Sequence, residues 1–138
     1  MENKTEVDYF SKMYPLNSIK IDNRFIERHK KEFRFLKDIE LSENNVAYAF
    51  SHKSMKTMKT LFIGFVYMEK KNDYTWLEGL EIKDPAAYLL APQLIDFAIK
   101  NGANIASINK NNSKAIKMLE DAGFKISSEE NRAYIMKL

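Results

Sequence analysis

Two glutamates, Glu78 and Glu81, stand in an otherwise apolar stretch, Tyr74-Thr-Trp-Leu-Glu-Gly-Leu-Glu-Ile82. Its composition reads as a β-strand, in which successive side chains point to opposite faces. Trp76, Glu78, Leu80 and Ile82 are expected on one face, and Leu77, Gly79 and Glu81 on the other. One carboxyl must then meet an apolar surface. Burial disfavours the charged form and moves a carboxyl toward the range useful for proton transfer. Such a group is a candidate general base; the competing expectation is a solvated glutamate at a strand edge. Tyr88 and Tyr134 are the phenols that could supply a proton from other elements.

A second kind of chemistry belongs to helix starts, where backbone N–H groups lack partners within the helix. Asn111, Asn112 and Ser113 each offer a side-chain oxygen to such a start. In Lys83-Asp-Pro-Ala-Ala-Tyr88, Asp84 can cap a helix that has Pro85 at its first position. His29 is expected to pack on an apolar helix face, and His52 to be exposed in a basic loop. The chain has no cysteine, which excludes disulfides, thiolate metal sites and a cysteine nucleophile. Its 4 glycines form no phosphate-binding Gly-x-x-x-x-Gly-Lys loop, dinucleotide fingerprint or nucleophile elbow, and no metal-ligand cluster stands out.

The elements that must position these residues follow from periodicity. Val7, Phe10 and Met13 suggest a short helix over 5–14, stopped before Pro15. Residues 18–21 read as a strand. Ile26, His29, Phe33 and Leu36 recur at helical spacing across 24–39, with Asp22 or Asn23 as cap. Strands are expected at 45–51, 61–67, 74–82 and 103–108, with a basic hairpin loop at 52–59. Helices are expected at 86–101 and 113–122, the latter closed by Gly123, before a terminal hairpin over 125–138. The basic loop is either a solvated tip or a rim that attracts an acidic partner.

At 138 residues the chain is expected to form one domain with one core. A hydrophobic fraction of 45% with 30% charged residues reads as a soluble globular chain. Its first residues carry acids and no apolar core of a signal peptide, and no apolar run approaches a membrane span, so no membrane role and a cytoplasmic location are expected. A net charge of +3 is too balanced to imply nucleic acid, while an anionic cofactor remains compatible.

The segment Asn112-Ser-Lys-Ala115-Ile-Lys-Met-Leu119-Glu-Asp-Ala-Gly123-Phe124 resembles the closing segment of the GNAT family of N-acetyltransferases. Asn112, Ala115, Gly123 and Phe124 match that pattern, and Leu119 stands where a tyrosine general acid is usual. Gly64-Phe65 matches another common position, and the resemblance covers roughly 46–138. It implies an α/β fold with a mixed central sheet flanked by helices, closing with a βαβ unit and a β-hairpin. It further implies transfer of an acetyl group from acetyl-CoA to an amine on a small molecule or protein. The pyrophosphate would lie at the helix start formed by Lys83, Ala86, Ala87 and Tyr88, although the family's glycines are missing there and Asp84 adds a negative charge. The backbone of the fourth strand, through Leu80 and Ile82, would position the pantetheine arm, with Asn112 and Ala115 beside it. Glu78 or Glu81 would act as base, with Tyr134 a candidate acid. The alternative is a catalytically degenerate GNAT fold that serves as a binding or regulatory module.

Overall fold

The computed structural model describes residues 16–53, 58–82 and 89–138. Seven strands form one sheet in the order β1-β2-β3-β4-β5-β7-β6. They are β1 (Asn17–Lys20), β2 (Asn45–Lys53), β3 (Thr60–Lys71), β4 (Tyr74–Ile82), β5 (Ile105–Asn109), β6 (Lys125–Glu130) and β7 (Ala133–Lys137). All neighbours are antiparallel except β4 and β5, which are parallel and joined by α2 (Ala91–Lys100). The expected α/β plan is therefore present, including the adjacency of the fourth and fifth strands.

Two cores lie on opposite faces of the sheet. The larger packs α2 and α3 (Ser113–Asp121) against Val66, Met68, Leu77, Ala106 and Met136. The smaller holds Ile26, Phe33, Leu36 and Phe65 beneath α1 (Asn23–His29) and a 3-10 helix (Arg34–Asp38).

The single helix expected over 24–39 is thus two shorter ones. Asp22 caps the first, its carboxylate accepting from the Phe25 N–H at 2.8 Å. The chain then breaks, and Phe33 is extended at φ −119°, ψ 107°. Phe33 and Phe35 explain the break, because both contact Phe65, at centroid distances of 4.9 and 5.8 Å. Residues two apart on a continuous helix do not face the same way. His29 packs as expected, 4.4 Å from Phe25 and 5.3 Å from Phe62 between ring centroids.

The helix expected over 86–101 begins at Ala91, with Pro92 in its first turn, where the missing N–H does no harm. Residues 86–88 lie outside the described residues, as do the helix expected at 5–14 and residues 54–57 of the basic loop. His52, expected in that loop, is instead a half-buried residue of β2. No helix among the described residues is long and apolar enough to cross a membrane.

Candidate active site

The ladder between β4 and β5 is short. Trp76 pairs with Ile105 and Leu77 with Ala106, and the strands then part. β5 continues to pair with β7 as far as Asn109, so the opening is on the β4 side alone. A β-bulge begins it. Tyr67 of β3 faces Gly79 and the next residue, Met68, faces Leu77, leaving Glu78 without a partner of its own. Bulges bend a strand and re-aim its side chains.

The bulge also corrects the strict alternation expected along this strand. Leu77, opposite Met68, and Leu80, opposite Val66, both face the larger core, where Ile82 also packs. The apolar face is thus Leu77, Leu80 and Ile82, with one extra residue inserted. Gly79 faces the other way, beneath Phe35. Glu78 reaches along that second face, its Oε1 4.0 Å from Lys71 Nζ and its side chain 31% exposed. The same Lys71 Nζ lies 5.0 Å from the centre of the Trp76 ring.

Between the parted strands is a cleft of about 140 Å³. Glu78, Gly79 and Leu80 form one wall, Ser107 and Ile108 the other. Ile95 of α2 and Asn112, Ala115, Met118 and Leu119 of α3 close it from the core side. Strand edges that part in this way leave backbone N–H and C=O groups free to meet a ligand.

Local sequence holds α3 in place. Asn112 caps it, its Oδ1 accepting from the Ala115 N–H at 3.2 Å. Gly123 ends it at φ +108°, a conformation that favours glycine, and Phe124 is buried at 1% exposure. Leu119, also buried, has an apolar side chain where a hydroxyl would have bordered the cleft.

The expected site residues separate into groups. Glu78, Leu80, Asn112 and Ala115 come together at the cleft. Ile82 continues the apolar face beyond it. Glu81 lies opposite Phe65, and its Oε2 is buried with no hydrogen-bond partner among the described residues. Tyr134 is on β7, opposite Ile108, with Lys110 Nζ 5.2 Å from its ring centre; it is not among the residues lining the cleft. Lys83, Ala86, Ala87 and Tyr88 lie outside the described residues. The start of α2 has no side-chain cap on its N–H groups among the described residues.

Two residues of this region were not singled out from sequence. Phe35 covers Gly79 so closely that a Cβ there would be 2.6 Å from Phe35 Cε2. Tyr67 pairs with Gly79 and accepts a hydrogen bond from Asn45 Nδ2 at 2.9 Å. Burial, and then the carboxylates of Glu69, Glu78 and Glu40, push the Tyr67 hydroxyl above the usual tyrosine range, against the opposing effect of Asn45. The one sequence signal for Phe35 was an aromatic placed off the helical stripe.

No protein-family model and no curated protein sequence matches the chain. Solved structures do. A domain from Methanocaldococcus jannaschii is similar at 16% identity with a TM-score of 0.69, covering 91% of this chain and 98% of that one. The N-acetyltransferase PseH of Campylobacter jejuni, in complex with acetyl coenzyme A, is similar at 19% identity with a TM-score of 0.56, covering 89% and 97%. The GNAT domain of S. lividans PAT is similar at 16% identity with a TM-score of 0.58, covering 89% of each. The chain has the GNAT fold, that of N-acetyltransferases.

Proposed function

We propose that this chain transfers an acetyl group from acetyl-CoA to a primary amine. The observation that carries the proposal is the opening of β4 from β5 immediately after Leu77 and Ala106, with the bulge residue Glu78 at its rim. The cofactor's chemistry fits the cleft. An arm of amides and methylenes suits a wall of free strand edge facing the apolar Leu80, Ala115, Met118 and Leu119. PseH, of the same fold, is in complex with acetyl coenzyme A.

Acetyl-CoA, when bound, supplies the acyl group as a thioester. The chain's own residues bind, orient and move a proton. The free edge of β4 from Glu78 to Leu80 holds the arm in register, and Asn112 fixes the first turn of α3 beside it. Fixing two reactants side by side removes much of the entropic barrier. The Glu78 carboxylate, on the face opposite α2 and α3, takes the proton from the attacking amine directly or through a water. Water protonates the leaving thiolate, because Leu119 has no proton to give and Tyr134 is not among the residues lining the cleft. Glu81 is the second candidate base: it does not line the cleft, but its buried Oε2 has no hydrogen-bond partner among the described residues.

A thiol-release assay over a panel of primary amines tests the proposal. Amine-dependent release should fall by about 10²–10⁴ in kcat/KM in the variant that loses the base. A larger fall in Glu78→Gln than in Glu81→Gln assigns Glu78, and the reverse assigns Glu81. The rival function, a binding or regulatory module, is favoured by the apolar Leu119. Absence of turnover over the whole panel, with coenzyme A still bound, would establish it.

A further inference from the structure

The ladder between β4 and β5 ends at the pair Leu77 and Ala106. The next residues on the two strands are Glu78 and Ser107, and both line the cleft. They also share a face of the sheet. Ala106 and Ile108 pack into the larger core, so alternation along β5 turns Ser107 to the opposite face. Glu78 reaches along that same face, toward Lys71. Had the strands stayed paired, about 4.8 Å apart, the two side chains would stand side by side. Because the strands part here, the cleft opens between them.

The two walls are held differently. β5 stays paired with β7 as far as Asn109, and Ser107 lies opposite Ile135, which is buried. Ser107 is thus fixed by its strand, yet it is itself exposed, which leaves its hydroxyl open to a ligand. Glu78 is the inserted residue of the bulge. Among the described residues that line the cleft, Glu78, Ser107 and Asn112 carry the polar side chains, and the Asn112 oxygen already caps α3 on the core side.

We propose that Ser107 is the second anchor of the acceptor amine: its hydroxyl oxygen accepts one N–H from the β5 side of the opening while the Glu78 carboxylate accepts another from the β4 side. This rests on the acyl-transfer function proposed above, with Glu78 as its base. The nitrogen of the neutral amine that attacks is tetrahedral. In a primary amine, two N–H bonds held on opposite walls leave its carbon substituent and its lone pair for the two remaining directions. The lone pair then aims at the thioester carbon without a search over orientations. The nitrogen forms the new C–N bond, and the C–S bond breaks with its electron pair going to sulfur. The proton held by Glu78 passes to that carboxylate, and solvent water protonates the sulfur. Ser107 neither gains nor loses a proton; it orients.

The test uses the whole chain loaded with coenzyme A and the same panel of primary amines. Amide spectra of ¹⁵N-labelled protein report amine binding without turnover. At least one amine should shift the Glu78 and Ser107 signals to saturation in the unmodified protein. Ser107→Ala should bind that amine about 3–10-fold more weakly, as expected for one lost hydrogen bond, with affinity for coenzyme A unchanged. Ser107→Thr keeps the hydroxyl on a side chain that favours strands, and should bind the amine as the unmodified protein does. Equal amine affinity in a folded Ser107→Ala protein overturns the proposal. So does an equal loss of coenzyme A affinity, a Ser107→Thr protein as weak as Ser107→Ala, or failure of every amine to move the two signals. Thiol release on the same samples tests acyl transfer separately: amine binding that depends on Ser107, but without release, retains the anchor and refutes the enzyme.

Discussion

Gly79→Ala should change the sign of its effect on stability according to what occupies position 35. In the unmodified protein the added Cβ would lie 2.6 Å from Phe35 Cε2 and 3.0 Å from Cζ, while Tyr67 Cβ at 3.6 Å is an ordinary contact. Carbon atoms rest at about 3.5–4.0 Å, so the ring must retreat by roughly 1 Å. Its stacking on Phe65 opposes that movement. Overpacking of this kind costs about 1–3 kcal/mol. With Phe35→Ala the obstruction is gone. Gly79 has no positive φ, so alanine there is unstrained and contributes about 0.4–1 kcal/mol by restricting the unfolded chain. The unfolded-chain contribution cancels between backgrounds, so denaturant unfolding of the four proteins in this double-mutant cycle should give a coupling equal to the overpacking cost, roughly 1–3 kcal/mol. A cost for Gly79→Ala that is the same in both backgrounds, within about 0.5 kcal/mol, would refute the contact.

Other outcomes follow from single residues. Asn112→Ala should cost about 0.5–2 kcal/mol in denaturant unfolding through the lost cap, whereas Asn112→Asp should retain most of it. Leu119→Tyr should leave amine-dependent thiol release in place, because no step relies on an acid at that position; loss of release in a folded variant would contradict this. Tyr67 is neutral in the fold up to a higher pH than in the unfolded chain. Its contribution is therefore fully present below about pH 10 and lost as pH rises through the raised folded value, so unfolding curves should show stability falling above that pH. Tyr67→Phe should flatten that fall.

The sheet was legible because its strands carry strong local signals. β4 was delimited to the residue by its apolar run between Asn72-Asp73 and Lys83, and α3 by its cap and Gly123. Less local features were missed. A bulge adds one residue without any compositional mark, so alternation put Leu77 and Leu80 on different faces when tertiary pairing puts them on the same one. Likewise Phe33 met the helical template, but Phe35 belongs to the same aromatic cluster and its packing overrode the period. At the candidate site, Asn112 and Glu78 could be named from sequence because a cap and an isolated charge are local properties, and Ala115 through the family resemblance alone. Phe35 could not, because only the fold brings it to Gly79.

Calorimetric titration with acetyl-CoA, of the unmodified protein and of Ala115→Leu, tests the cleft most directly. Ala115 borders an opening of about 140 Å³, and a leucine there would fill much of it while remaining on the apolar side of α3. The unmodified protein should bind with a Kd on the order of 0.1–1 mM, equivalent to about −5.5 to −4 kcal/mol, and folded Ala115→Leu should bind at least about tenfold more weakly. No binding to the unmodified protein, or equal binding to both, would contradict a cofactor arm held between β4 and β5.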